Sequence, residues 1–167
     1  MFENQQIDQL PNVDELLFKN IRKAYLKVVL IHYLLFSGVL LTGFFLLVQY
    51  KLQEIFPTYI DGIYIGLLLL FLLILTFLIV GFYRRKFAIR ERDISYKSGI
   101  LIKKITTVPF SRIQHIEVDE SPVSRIFSLA SISVYTAGDS SDDLEIKGIL
   151  KTEALQIKEF INQKING

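Results

Sequence analysis

Two uncharged apolar runs constrain the fold of this chain more than any other feature. From Val28 to Val48 the sequence reads VVLIHYLLFSGVLLTGFFLLV, and from Ile63 to Phe82 it reads IYIGLLLLFLLILTFLIVGF. Each run has about 20 residues, enough to cross a hydrocarbon core of roughly 30 Å as a helix. Both runs are apolar on every side, unlike the amphipathic helices of soluble domains. The sequence therefore predicts transmembrane helices over residues 28–48 and 63–83.

The segment between these runs, residues 49–62, is short and polar, so the two helices are predicted to form a hairpin. Lysine and arginine concentrate at its open end. The flanking cations there are Lys19, Arg22, Lys23, Lys27, Arg84, Arg85, Lys86 and Arg90, whereas the connecting loop contains Lys51. Positively charged flanks remain in the cytoplasm. We therefore expect a multi-pass protein of the cell membrane with both termini cytoplasmic.

The segment before the first run, residues 1–27, has a helical pattern of its own. Asn12 precedes Glu15 by three positions, which is the spacing of a helix capping box. Apolar residues then recur at helical spacing: Val13, Leu16, Leu17, Ile21, Ala24 and Tyr25. The pattern predicts a cytoplasmic amphipathic helix. It either lies along the membrane surface or continues into the first transmembrane helix.

After the second run, residues 84–167 change to the period-two alternation of half-buried strands. The clearest alternating stretches are residues 87–90, 94–97, 132–135 and 144–147. Residues 100–108 and 113–119 are predicted to pair with each other through Pro109. Gly99 and Gly138 are expected to provide positive φ in turns.

The end of the chain returns to helical spacing. Thr152 is a good helix N-cap, and an apolar stripe follows it. The stripe consists of Ala154, Ile157, Phe160, Ile161 and Ile165. A terminal helix of this kind can cover the open end of an antiparallel sheet. The fold class predicted for the whole chain is a membrane α-helical hairpin followed by an α+β domain.

The residues that support catalysis are sparse. The chain has no cysteine, which excludes disulfides, thiolate catalysis and Cys-based metal sites. His32 lies within the first apolar run, and His115 lies alone on a predicted strand. The acidic residues Asp139, Asp142 and Asp143 fit a solvated turn better than a calcium loop. With no phosphate-binding glycine loop and no aromatic-basic stripe, we expect no enzyme, no cofactor, no metal and no nucleic-acid partner.

What remains is binding at the membrane. A basic cluster follows the second run and comprises Arg84, Arg85, Lys86 and Arg90. The cluster fixes the orientation of the helices in the membrane. A stronger interpretation is that the cluster, with Lys103 and Lys104, orients the domain against lipid headgroups. Each such charge near anionic lipid contributes about 1 kcal/mol.

Several motifs give the region a resemblance to a known family. They are ISYKSGI at residues 94–100, VPFSRIQ at 108–114, RIFSLA at 125–130 and VYTAG at 134–138. Together they resemble bacterial pleckstrin-homology-like domains. Two transmembrane helices ahead of one such domain is the arrangement of the small YdbS-like membrane proteins. Ser128 departs from the pattern, because the family usually has glycine there.

The resemblance implies a pleckstrin-homology-like antiparallel sheet, or partial barrel, capped by the C-terminal helix. It also implies a non-enzymatic protein of the bacterial cell membrane. The domain would bind lipid headgroups or a membrane protein partner, such as a larger paralogue with similar domains, as a scaffold in envelope maintenance or stress defence. A homo-oligomer is a further expectation. Arg112, Gln114 and Arg125 either bind a ligand or are structural. The alternative function is an oligomeric transporter or channel subunit.

Overall fold

Two long helices carry the apolar runs. The computed structural model describes residues 17–52, 57–136 and 144–166. Helix α1 comprises Ala24–Leu47 and helix α2 comprises Ile60–Arg84, close to the predicted spans. Both are long and apolar enough to cross a membrane, and most of their large side chains are exposed. Apolar surface of this extent is typical of helices that lie in lipid.

The two helices contact each other at two levels. The Tyr33 hydroxyl donates a hydrogen bond to the Phe71 carbonyl at 2.8 Å, and their rings meet edge to face at 6.3 Å. Farther from the domain, the rings of Phe44 and Tyr64 meet at 5.5 Å. A π-helical turn at Val48–Leu52 and a 3-10 turn at Pro57–Tyr59 lie at the ends of the connecting loop. The helices therefore form the expected hairpin.

The first sheet joins the base of this hairpin. Its antiparallel strands follow the order β1 (Lys19–Asn20), β2 (Lys86–Ile89), β3 (Asp93–Ser98) and β4 (Lys104–Pro109). Strand β1 corrects the prediction of a helix continuous with α1, because Lys19 pairs with Phe87 and Asn20 with Lys86. The outer edge of β2 has unpaired backbone N–H and C=O groups, and an extended segment can form hydrogen bonds with them. The earlier part of the predicted helix, residues 1–16, lies outside the described residues.

The second sheet contains β5 (Ile113–Asp119), β6 (Leu129–Thr136) and β7 (Leu144–Leu150), all antiparallel. The short helix α3 (Pro122–Ile126) precedes β6, and helix α4 (Lys151–Asn166) follows β7. The predicted pairing of residues 100–108 with 113–119 is wrong, since β4 pairs with β3 and β5 pairs with β6. A 3-10 turn at Phe110–Arg112 carries the chain from one sheet to the other.

The core of the domain lies between the sheets and α4. Ile94 of the first sheet and Ile132 and Ile146 of the second are fully buried there. Helix α4 contributes Ala154 and Ile161 from the predicted stripe. The alternation read from the sequence therefore corresponds to inward and outward faces of two sheets. The α+β domain behind a helical hairpin is confirmed as the fold class.

A second apolar cluster joins the domain to the hairpin. It consists of Ile21, Tyr25, Val28, Phe82 and Leu129. At Gly148, where φ is +81°, the backbone of β7 approaches so closely that a Cβ would overlap the Tyr25 ring. The Arg22 amide also donates to the Gly148 carbonyl at 3.1 Å. The domain is therefore packed directly against the base of the helices.

Candidate functional site

The turn between β3 and β4 presents apolar side chains beside the end of α2. Leu101 and Ile102 are 86% and 83% exposed. Their neighbour Ile100 packs against α2, and its Cδ1 lies 3.0 Å from the position of a Cβ at Gly81. Gly81 is about one turn from the end of α2, so this turn lies level with the end of the apolar helix surface. Lys103 and Lys104 follow and are exposed. We refer to residues 100–104 as the β3–β4 tip.

The sequence of the β3–β4 tip explains this position. Gly99 adopts φ +103°, as predicted, and starts the turn that separates β3 from β4. Leu101 and Ile102 in this turn are largely uncovered by the part of the domain that the structure describes. Exposed contiguous apolar side chains next to lysines are typical of surfaces that contact a membrane.

The structure divides the predicted basic cluster into two parts. Arg84, Arg85 and Lys86 lie where α2 ends and β2 begins. In the strand register Lys86 lies opposite Lys97 of β3, at the same end of the sheet as the β3–β4 tip. Arg90 follows the other end of β2, about 13 Å farther along the strand. There its Nε donates to the Asp93 carboxylate at 2.7 Å. Arg90 therefore does not join the cations at the helix end.

The three motif residues also lie apart. Arg112 and Gln114 are exposed on either side of the buried Ile113, as their alternation predicted. Arg125 is exposed on α3, beyond the opposite end of β5. The length of β5, about 20 Å, separates them, so they do not form one site. Within the part of the chain that the structure describes, neither the Arg112 nor the Arg125 guanidinium donates a hydrogen bond to a loop carbonyl.

The two histidines have local partners. His115 stacks on the Tyr135 ring at 4.2 Å, and the Tyr135 hydroxyl donates to Glu117 at 3.0 Å. Nδ1 of His32 lies 2.8 Å from the Val28 carbonyl oxygen. Among residues 17–52, 57–136 and 144–166 there is no group of three or more His, Asp or Glu side chains suited to a metal. The acidic turn with Asp139, Asp142 and Asp143 lies outside the described residues.

One titratable group marks the junction of the two apolar clusters. Tyr96 of β3 packs against both of them. Burial raises the pKa of the Tyr96 hydroxyl above its usual value. The nearby charge of Arg85 acts in the opposite direction, while Tyr25 and Glu145 add to the increase. The guanidinium of Arg85 thus lies near Tyr96, at the interface between α2 and the domain.

Comparison with known proteins identifies related sequences. A family model described as a bacterial PH domain matches residues 29–165, more than half of the chain. The UPF0699 transmembrane protein YdbS of Bacillus subtilis (strain 168) is 30% identical over 84 residues, covering 48% of this chain and 52% of that protein. The chain therefore spans about half the length of the curated relative it matches.

Among solved structures, a DUF1696 family protein with a pleckstrin-homology domain from Shewanella loihica PV-4 resembles this fold. The match has a TM-score of 0.39 at 17% identity and covers 49% of this chain and 71% of that protein. The family model confirms the family resemblance inferred from the four motifs.

Proposed function

We propose, from the premise that this chain belongs to the bacterial PH domain family, that it is a non-enzymatic membrane protein whose domain binds lipid headgroups. The hairpin holds the domain at the bilayer surface. The excess of lysine and arginine at the open end of the hairpin favours the cytoplasmic side. Anionic lipids are concentrated in that leaflet.

The β3–β4 tip is the observation that carries this proposal. Insertion of Leu101 and Ile102 into the acyl boundary removes two large apolar side chains from water, each worth about 1.5–3 kcal/mol when fully buried. Lys103 and Lys104 then lie level with the phosphates, where each contributes about 1 kcal/mol. These energies are small beside the insertion of two transmembrane helices. The tip therefore sets the orientation of the domain, while the hairpin anchors the protein.

A single tryptophan tests this contact, because the chain has no native tryptophan. In full-length protein reconstituted with anionic phospholipid, we expect Leu101→Trp to give blue-shifted emission that brominated acyl chains quench. Phe160→Trp is the matched control, since Phe160 packs against Phe110, which follows β4 at the end opposite the β3–β4 tip. Adding Lys103→Gln and Lys104→Gln should reduce the quenching at position 101. Equal quenching at positions 101 and 160, or none at 101, would contradict the proposal.

A second candidate function is a scaffold for a membrane protein partner. A groove of about 440 Å³ on the outer surface of α1 favours it. The groove is lined by Leu34, Leu35, Gly38, Val39 and Thr42. Nothing lies within 4 Å of a Cβ placed at Gly38, so a transmembrane helix of a partner can approach closely there. A larger paralogue, or a second copy of this chain, presents such a helix.

In-cell cross-linking followed by mass spectrometry tests the scaffold. Gly38→Leu should abolish the cross-linked partner, whereas Gly66→Leu, at an equally open glycine of α2, should not. Recovery of the chain alone would count against this function. Transport receives no support of this kind. His32 is the single Asp, Glu, Lys, Arg or His within the two apolar runs, and its Nδ1 is within hydrogen-bonding distance of the Val28 carbonyl.

A further inference from the structure

A cavity of about 790 Å³ lies between the hairpin and the domain. Its volume falls within the roughly 300–1,000 Å³ that is usual for small-molecule sites. Side chains of α1 and α2 form one part of its wall, and residues from β5, β6, β7 and α3 form the other. The β3–β4 tip contributes nothing to its lining, so the cavity is separate from the surface proposed above to contact lipid.

The wall contributed by the helices is largely apolar, although His32, Tyr25 and Tyr33 also line it. Val29 and Phe36 line it from α1, and Ile74 and Leu78 line it from α2. Ile74 precedes Arg85 by 11 residues, which corresponds to about 16 Å along the helix. That is about half the thickness of the hydrocarbon core, or the depth of one leaflet. Acyl chains of the leaflet on the domain side can therefore extend along this wall.

The opposite end of the cavity is lined by charges of both signs. They are Arg85, Lys147, Asp119, Glu120 and Glu145. Two of the carboxylates already have partners: Glu145 lies 3.0 Å from Lys147, and Glu120 lies 2.7 Å from Lys151. Arg85 and Asp119 form no side-chain ion pair within the described residues. One cation and one anion are thus available to a ligand.

We propose that this cavity binds an aminophospholipid, with its phosphate at Arg85, its ammonium group at Asp119 and its acyl chains along α1 and α2. A charge-assisted hydrogen bond forms at each end of such a headgroup. With Glu145 and Glu120 already paired, the remaining Arg85 and Asp119 match a headgroup that carries both charges better than a purely anionic one. Free phosphate would leave the apolar wall uncovered. The lipid would also fill the space between the domain and the helices, and so hold the two in one arrangement.

Native mass spectrometry of the full-length protein in detergent tests this inference. The probes are phosphatidylethanolamine and phosphatidylglycerol of matched chain length, with glycerophosphoethanolamine and inorganic phosphate as soluble competitors. We expect one phosphatidylethanolamine to bind in preference to phosphatidylglycerol. Asp119→Asn should reduce this preference by about tenfold, because a hydrogen bond to a charged group is lost. Glu91→Gln, an exposed carboxylate outside the cavity, should leave the preference unchanged.

A second variant tests the apolar wall. Leu78→Trp places a bulky ring in the cavity and should displace either lipid, whereas Leu73→Trp, at an exposed position of α2, should not. Neither soluble competitor should displace the lipid, since both lack acyl chains. Preference for phosphatidylglycerol, unchanged selectivity in Asp119→Asn, equal binding by the two tryptophan variants, or displacement by inorganic phosphate would each overturn the assignment.

Discussion

The hairpin and the domain use similar apolar residues in opposite ways. In the domain, Ile132 and Ile146 are fully buried between two sheets and a helix. In the hairpin, Leu68 and Leu69 of α2 are about 60% exposed, although the surrounding sequence is more apolar than any strand. The domain excludes water with its own side chains, whereas the hairpin leaves that task to lipid.

This difference has an energetic consequence. Apolar burial drives packing in the domain, because the alternative for those side chains is water. Between the helices it does not, because lipid tails are as apolar as leucine. Beyond the apolar cluster at the base of the hairpin, the described contacts between α1 and α2 are accordingly few and include one hydrogen bond and two ring pairs. The same substitution should therefore have unequal effects in the two regions.

The largest difference between the two regions is expected when a branched aliphatic side chain is truncated to alanine. Ile146→Ala in the domain core should reduce the free energy of unfolding by about 2–5 kcal/mol, because it leaves a cavity. Leu69→Ala on the exposed face of α2 should change it by less than about 0.5 kcal/mol. Amide hydrogen exchange of β6 in the full-length protein measures both. Comparable losses of protection would show that α2 is packed in the membrane as tightly as a core.

Substitution of glycine should give a difference of intermediate size between the domain and the hairpin. Gly148→Ala places a methyl group against Tyr25 and Ile21 at a backbone with φ +81°, and should cost about 1–3 kcal/mol. Gly66→Ala, in open space on α2, should instead stabilise its helix by up to about 1 kcal/mol. Hydrogen exchange in the first turn of α1 and in α2 distinguishes the two effects. Unchanged protection of α1 in Gly148→Ala would mean that the domain does not depend on this contact with the hairpin.

The hairpin was the more predictable of the two regions. Its helices follow from uninterrupted apolar runs, a local signal that does not depend on distant residues. The strands at 87–90, 94–97, 132–135 and 144–147 followed from alternation, which is also local. The positive φ of Gly99 came from a turn signal between two such strands. Gly148 was missed because it interrupts an alternating strand, and only the approach of Tyr25 explains it.

Features set by long-range contact were not predictable. Strand β1 consists of two polar residues and exists because β2 has a free edge. Pro109 resembled the centre of a hairpin, yet the turn after it leads to another sheet. At the candidate site, the lysines of the β3–β4 tip were predicted, but Leu101 and Ile102 were overlooked. Their signal was an apolar pair inside a turn. The cavity has no sequence signal, because its walls come from distant segments.

The smallest expected effect concerns Ser128, where the sequence departs from the glycine usual in the family. Ser128 adopts φ +54°, a left-handed conformation that glycine tolerates better. Ser128→Gly should therefore stabilise the domain by up to about 1 kcal/mol. The gain is reduced by the greater conformational entropy that glycine gives to the unfolded chain. Ser37→Gly, the same substitution in α1, should weaken that helix by about 0.5 kcal/mol. Hydrogen exchange should become slower in β6 for Ser128→Gly and faster in α1 for Ser37→Gly. Destabilisation at both sites would mean that the serine hydroxyl, not the backbone, determines the turn before β6.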